Sequence, residues 1–268
     1  MRCALVQTNP RFGEPCANTD GALRLMEEVR ADLYVLPELF NTGYDFRESA
    51  ELEALAEPAG GPTFQALHGF ARARDCFLCY GFAEKAEGIF NSALLVGPRG
   101  AEGLYRKVHL FAREKLLFRP GNLGFPVFDL PFGKTGIMIC YDWIYPEAAR
   151  CLALQGARLI LHPSNLVTPY CPDAMVTRCL ENGLFAATAN RVGREDRTGR
   201  DLCFIGRSQV VDPRGRILTR MGTGEEGITR VELNPAEADG KRFTELNHLL
   251  EDRRPDQYRP PPFSTPPP

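Results

Sequence analysis

The stretch GIMICYDWIYPEAAR, residues 136–150, decides how this chain is read. Apolar residues with two β-branched isoleucines lead up to Cys140, which has the character of a buried strand. A turn follows, then a helix whose first turn carries Pro146 and Glu147. Strand, turn and helix in that order form the unit of an α/β layered fold. The unit presents the residue at the strand's end on the rim of a sheet, as a strand-turn-helix elbow can present a nucleophilic serine.

Outward from this unit, short apolar runs alternate with helical patterns. Strands are expected over 3–8, 33–36, 77–82, 93–96, 135–139, 159–162, 185–189, 208–211 and 227–231. Helices are expected over 63–74, 146–155 and 173–183, and over 19–29 behind a cap at Asn18 or Thr19. Hairpin-like pairs over 77–96 and 208–231 make the sheets mixed, and two sheets sandwiched between outer helix layers would satisfy the pattern. No internal repeat is visible.

At 268 residues, 44% of them apolar, the chain suits one large domain, expected over residues 1–255. A proline-rich tail, 256–268, is expected to be extended or polyproline-like, either frayed or laid on a neighbouring subunit. The net charge of −2, with signs interspersed, argues against nucleic acid or an anionic membrane as partner. The opening MRCALVQTNP lacks a secretory pattern, and no apolar run approaches the roughly 18 residues of a membrane span. A cytoplasmic protein acting on a small molecule is expected. Nine scattered cysteines suit a reducing compartment better than a disulfide framework. Cys3, Cys76, Cys79, Cys151, Cys179 and Cys203 read as small buried hydrophobes. Cys76 and Cys79 fall on a strand whose residues three apart face opposite ways, which argues against a metal or redox pair.

Three post-strand segments concentrate reactive side chains: LYVLPELFNTGYDF (33–46), LYRKVHLFAREKLLFRPG (104–121) and the Cys140 stretch. Such loops converge at the carboxyl ends of strands in α/β folds. A thiol nucleophile needs a base and a nearby positive charge. Glu38, in apolar company that should raise its pKa, and Lys107 supply candidates. Taken singly, Glu38 also reads as a carboxylate paired with arginine at a sheet edge. Lys107 also reads as a solvated surface charge, and Glu114 as a helix-surface residue. Of the four histidines, His68 and His248 fall in helical stretches. His109 and His162 fall near Cys140, with His162 read as a strand-end residue satisfied by a hydrogen bond.

Together these segments resemble the nitrilase superfamily of carbon-nitrogen hydrolases. The resemblance runs through PELFNTGY with Glu38, YRKVHLF with Lys107, AREKLLFRPG with Glu114 and GIMICYDWIYPEAAR with Cys140. It continues through LILHPSN around Asn165, RCLENGLFAATANRVG and FIGRSQVVDPRG, so it covers residues 1 to about 255. It implies an α-β-β-α sandwich and a homodimer in which carboxyl-terminal segments cross the interface. It further implies Cys140 as nucleophile, Glu38 as general base, Lys107 as the cation that meets the developing oxyanion, and Glu114 as a second, positioning glutamate. The backbone N–H of Tyr141 would share the oxyanion. Tyr44, Phe111, Trp143 and Asn165 flank these positions and are candidate substrate-binding residues.

The resemblance calls for neither cofactor nor metal. The sequence Cys140-Tyr141-Asp142-Trp143 departs from the Cys-Trp-Glu of dedicated nitrilases. A small amide is therefore the first expectation, a short aliphatic nitrile the second and a carbamoyl amine the third. A non-enzymatic binding module would be expected to have lost one of the three central residues.

Overall fold

The structure is a computed structural model that describes residues 1–258. The first half of the chain runs β1 (Arg2–Gln7), α1 (Pro15–Glu27), β2 (Leu33–Val35), α2 (Ser49–Leu55), α3 (Pro62–Arg74), β3 (Phe77–Lys85), β4 (Ile89–Gly97), β5 (Gly100–Arg106) and the single turn α4 (Glu114–Leu117). The second half runs β6 (Val127–Leu130), β7 (Gly133–Ile137), α5 (Pro146–Leu154), β8 (Leu159–Ser164), α6 (Cys171–Asn182), β9 (Phe185–Asn190), β10 (Arg194–Glu195), β11 (Leu202–Cys203), β12 (Gln209–Val211), β13 (Ile217–Arg220) and β14 (Gly227–Glu232).

Two six-stranded mixed sheets result, ordered β14-β1-β2-β3-β4-β5 and β13-β12-β9-β8-β7-β6. Each has three parallel central strands, β1-β2-β3 and β7-β8-β9, flanked by antiparallel ones. Period-two alternation sorts the side chains of the first sheet. Cys3, Leu5, Leu33, Val35 and Cys79 point into the core between the sheets, against Ile137, Leu159 and Leu161. Ala4, Val6, Tyr34, Leu78 and Tyr80 point the other way, against Ala22, Met26, Leu67 and Ala71 of α1 and α3. Helices α5 and α6 cover the second sheet through Ala149, Leu152, Met175 and Cys179. Strands buried on both faces explain runs with little polar alternation and give the expected α-β-β-α layering. Each fully buried Leu, Val or Ile contributes about 1.5–3 kcal/mol to that layering. Cys76 and Cys79 do fall in different cores, on opposite faces of the sheet.

Four local expectations are corrected. Helix α1 begins at Pro15, with no side-chain cap. Proline's fixed φ suits a first helical position, and Asn18 instead bonds Arg11 and the Asn41 carbonyl. The segment 208–231 is not one hairpin: β12 pairs with β13, while β14 crosses to lie antiparallel to β1 in the other sheet. Cys151 and Cys203 are exposed. On α5 the buried residues are Ala148, Ala149, Leu152 and Ala153, so helical phase turns residue 151 outward. His248 lies in an isolated bridge with Arg242 and not in a helix, whereas His68 is on α3. The proline-rich segment from residue 259 onward lies outside the described residues. Among the described residues no helix is long and apolar enough to cross a membrane.

Candidate active site

Strand direction brings the reactive loops to one place. Because β5 is antiparallel to β4, which is antiparallel to β3, it runs the same way as β2. Glu38 and Lys107 therefore leave the same edge of the first sheet. Strands β7 and β8 are parallel, so Cys140 and Asn165 share an edge of the second.

Glu38 is fixed by a close approach of backbones. Gly81 of β3 donates its N–H to the Pro37 carbonyl (3.0 Å), and Phe40 donates to the Gly81 carbonyl (3.2 Å). A Cβ at Gly81 would stand 2.5 Å from the Glu38 Cα, so only glycine permits this contact. Gly121 serves Lys107 likewise: its N–H donates to the Lys107 carbonyl (2.8 Å), and a Cβ would fall 2.0 Å from the Arg106 oxygen. Among the described residues, three of the five non-glycine residues with positive φ lie here: Leu39 (47°), Ala112 (47°) and Cys140 (41°). Backbone strain of this kind persists where surrounding contacts over-determine it, often at functional positions.

Lys107 is fully buried and donates to Glu38 Oε1 (2.6 Å) and Glu114 Oε1 (2.8 Å). Glu114 also accepts from the Tyr44 hydroxyl (2.6 Å) and the Phe111 N–H (3.0 Å). Asn91 Nδ2 donates to Glu38 Oε1 (2.6 Å), while Glu38 Oε2 has no partner among the described residues. The surface readings of Lys107 and Glu114 and the arginine pairing of Glu38 are thereby set aside.

Electrostatics follow from one ammonium shared by two carboxylates. Burial pushes the Glu38 carboxyl above its ordinary range, Lys107 opposes, and Glu114 adds to the rise. Burial works against the charge on Lys107, but Glu114 and Glu38 outweigh it and hold the ammonium protonated. Burial raises the Cys140 thiol well above its usual value; Glu38 adds to this, while Lys107 and the backbone N–H of Asn165 work against it. The site therefore gathers a thiol, an ammonium and two carboxyl groups in one buried electrostatic cluster.

Cys140 is buried and opens a short 3-10 turn, Cys140–Ile144, leading into α5. Fully buried Asp142 braces that turn. It accepts from the Ile139 N–H (2.9 Å), the Tyr105 hydroxyl (2.7 Å) and both the N–H and Nδ1 of His109 (3.2 and 2.8 Å). His109 stacks on Tyr145 with centroids 3.8 Å apart. A cavity of about 170 Å3 opens beside Cys140, lined by Phe111, Tyr141, Trp143 and Asn165 among others. Larger hollows of about 430 and 440 Å3 lie along α1, but neither is lined by the buried ion cluster. Tyr44 stands apart from the Cys140 cavity, its ring edge-on to Phe204 and its hydroxyl on Glu114. Asn165 is buried, and neither polar atom of its side chain has a partner among the described residues.

Sequence reasoning did not single out Asn91, Tyr105 or Asp142. Each is a polar residue in or beside a buried strand, and that mismatch was the available signal. Among the described residues no group of three or more His, Cys, Asp and Glu side chains is gathered as metal ligands would be.

Residues 2–243 match the model of the carbon-nitrogen hydrolase family, and the chain belongs to that family. It is 45% identical over 263 residues to a nitrilase of Pyrococcus abyssi, covering 96% of this chain and 99% of that one. Among solved structures, a carbon-nitrogen hydrolase from Helicobacter pylori superposes with a TM-score of 0.88 at 27% identity, over 96% of this chain and 97% of the other. An amidase from Nesterenkonia sp. superposes with a TM-score of 0.76 at 30% identity, over 90% and 93%. A further structure of that amidase, a mutant, carries the acetamide moiety of fluoroacetamide added covalently at the active-site cysteine.

Proposed function

We propose that the chain hydrolyses a small, uncharged amide through a thioester on Cys140. The observation that carries this reading is the Lys107 ammonium held between Glu38 and Glu114, beside a thiol on a strained elbow. Glu38 takes the proton of Cys140 as the sulfur attacks the carbonyl carbon. Negative charge gathers on the carbonyl oxygen, where Lys107 and the Tyr141 N–H meet it. The carbon-nitrogen bond breaks as Glu38 passes the proton to nitrogen, and ammonia or an amine leaves. Water then attacks the thioester, giving a proton to Glu38, and the acid departs as the thiol is re-formed. Glu114 and Tyr44 keep Lys107 in place.

The pocket supports an uncharged acyl group. Among the described residues no charged side chain lines the cavity beside Cys140, and its 170 Å3 is the volume of roughly five or six waters at ~30 Å3 each. Phe111 and Trp143 would hold the acyl chain, and the free amide of Asn165 would pair with the substrate amide. A cationic carbamoyl amine finds no carboxylate there. Hydrolysis of a nitrile is the second reading, favoured by the 45% identity to a chain named a nitrilase. We read residues 1–255 as one catalytic unit. A homodimer is supported by the outward apolar side chains Ile144, Leu154, Tyr170 and Leu180 on or beside α5 and α6; light scattering of the purified chain tests it.

A panel of short amides, nitriles and carbamoyl amines tests the function, scored by ammonia and acid released. Acid and ammonia from amides without turnover of nitriles is expected; turnover of nitriles alone would overturn the reading.

A further inference from the structure

Besides the backbone bonds of the 3-10 turn, two side chains hold the elbow at Cys140, and of these only His162 touches the peptide that joins Cys140 to Tyr141. Asp142 grips the chain one residue earlier, at the Ile139 N–H. On the other side His162, fully buried on β8, has Nε2 2.9 Å from the Cys140 carbonyl oxygen. A carbonyl oxygen only accepts, so Nε2 carries the proton. Burial keeps the ring neutral, lowering its pKa to about 4. A neutral ring protonated at Nε2 has an accepting Nδ1, and the Thr188 hydroxyl lies 3.0 Å from it as donor. The carbonyl thus selects the tautomer, Thr188 on β9 satisfies the accepting Nδ1, and Ser164 stands 3.3 Å from Nε2 on the same strand as the ring.

A trans peptide is planar, and its C=O and N–H point in opposite directions. The bond that turns the Cys140 carbonyl toward β8 therefore turns the Tyr141 N–H away from β8. No hydrogen bond within the protein claims that N–H among the described residues.

We propose that His162, steadied at Nδ1 by Thr188, is a positioning residue that aims the Tyr141 amide at the oxyanion by gripping the other end of the same peptide. It touches no substrate and moves no proton. This rests on the reading of Cys140 as nucleophile, so the test separates the sulfur from the amide. Alkylation by iodoacetamide displaces iodide at a saturated carbon and forms no oxyanion, whereas amide turnover needs both thiol and donor.

Three variants are compared with the wild type: His162→Leu, His162→Gln, whose side-chain N–H reaches roughly as far as Nε2, and Thr188→Val. The measurements are kcat and KM for a short amide, the alkylation rate with the modified peptide mapped, and the melting temperature. His162→Leu is expected to lower kcat by about 30-fold or more, below the full loss of an oxyanion donor, with KM and alkylation within about threefold. His162→Gln is expected to recover most of that loss. Thr188→Val is expected to lower kcat by about three- to tenfold, the worth of one neutral hydrogen bond.

Wild-type kcat in His162→Leu, an equal fall of turnover and alkylation, or no recovery by His162→Gln would overturn the proposal. Should His162→Leu fail to fold, undiminished kcat in Thr188→Val overturns it by itself. Iodoacetamide labelling of another cysteine in the wild type, with Cys140 untouched, would instead sink the assignment of the nucleophile.

Discussion

Two consecutive residues, Arg106 and Lys107, each lie between a pair of glutamates at the end of β5. Arg106 is saturated. Its guanidinium donates to Glu84 (2.8 and 2.7 Å), to Glu87 (2.6 Å) and to Asn122 (3.0 Å), and it stacks on Phe90 at 3.9 Å. Ser92 donates to Glu84 Oε2 at 2.6 Å. Lys107 binds its two carboxylates just as closely, yet Glu38 Oε2 is left without a partner among the described residues. Both clusters are ion networks by composition, with Arg106 and Glu84 buried and Glu87 half exposed. What separates the structural one from the reactive one is the unused lone pair, because a group with all its partners has nothing left to offer a substrate.

Of the substitutions that test this difference, Lys107→Met should do the most damage. It leaves two buried carboxylates without their cation, so stability at neutral pH should fall by about 3–5 kcal/mol, and turnover per folded molecule by at least about 1,000-fold. Arg106→Met should lose comparable stability but keep turnover per folded molecule within about threefold. Denaturant melts and initial rates measured on the same samples decide this. Equal loss of turnover in both would mean the clusters differ only in appearance.

The pH profile is the next test. Burial raises the Glu38 pKa above 4.5, and the ionised form is needed to accept the thiol proton. The acid limb of kcat/KM should therefore lie above pH 4.5, and Glu38→Gln should abolish turnover along with the limb. A limb below 4.5 would mean Lys107 dominates Glu38.

A smaller effect comes from the neutral partner of the elbow. His162 is lowered from 6.5 to about 4 by burial, so below pH 6.5 the unfolded chain takes up a proton that the folded chain refuses. Its contribution is present above pH 6.5 and is lost as pH falls toward 4, about 3 kcal/mol in all at 1.36 kcal/mol per unit. Denaturant melts across that window should show a shallower slope for His162→Gln than for the wild type.

Much of the fold could be read from the chain because its strands are buried on both faces. Runs such as 159–162 and 185–189 carry little besides apolar residues, and the helices between them follow ordinary periodicity. Pairing was less legible. Nothing local says that β14 leaves β13 to join β1, since the partner is more than 200 residues away and the choice is made by which sheet edge is open. The start of α1 was missed because Asn18 looks like a cap, while a proline three residues earlier already fixed the first turn.

At the site, Glu38, Lys107 and Cys140 stand out as reactive types at strand ends and Glu114 only through the resemblance, and the structure brings Glu38, Lys107 and Glu114 together. Their supports hide in plain composition. Asn91, His162 and Asp142 read as polar intruders in strands or turns, and only the fold reveals which atom each one holds.

The proposed reaction passes through an acyl group carried by Cys140. Propionamide and hydroxylamine incubated with the enzyme should yield the hydroxamate alongside the acid, with a propionyl mass on the Cys140 peptide after acid quenching and neither signal from Cys140→Ala. Acid formed without hydroxamate, or hydroxamate still made by Cys140→Ala, would contradict it.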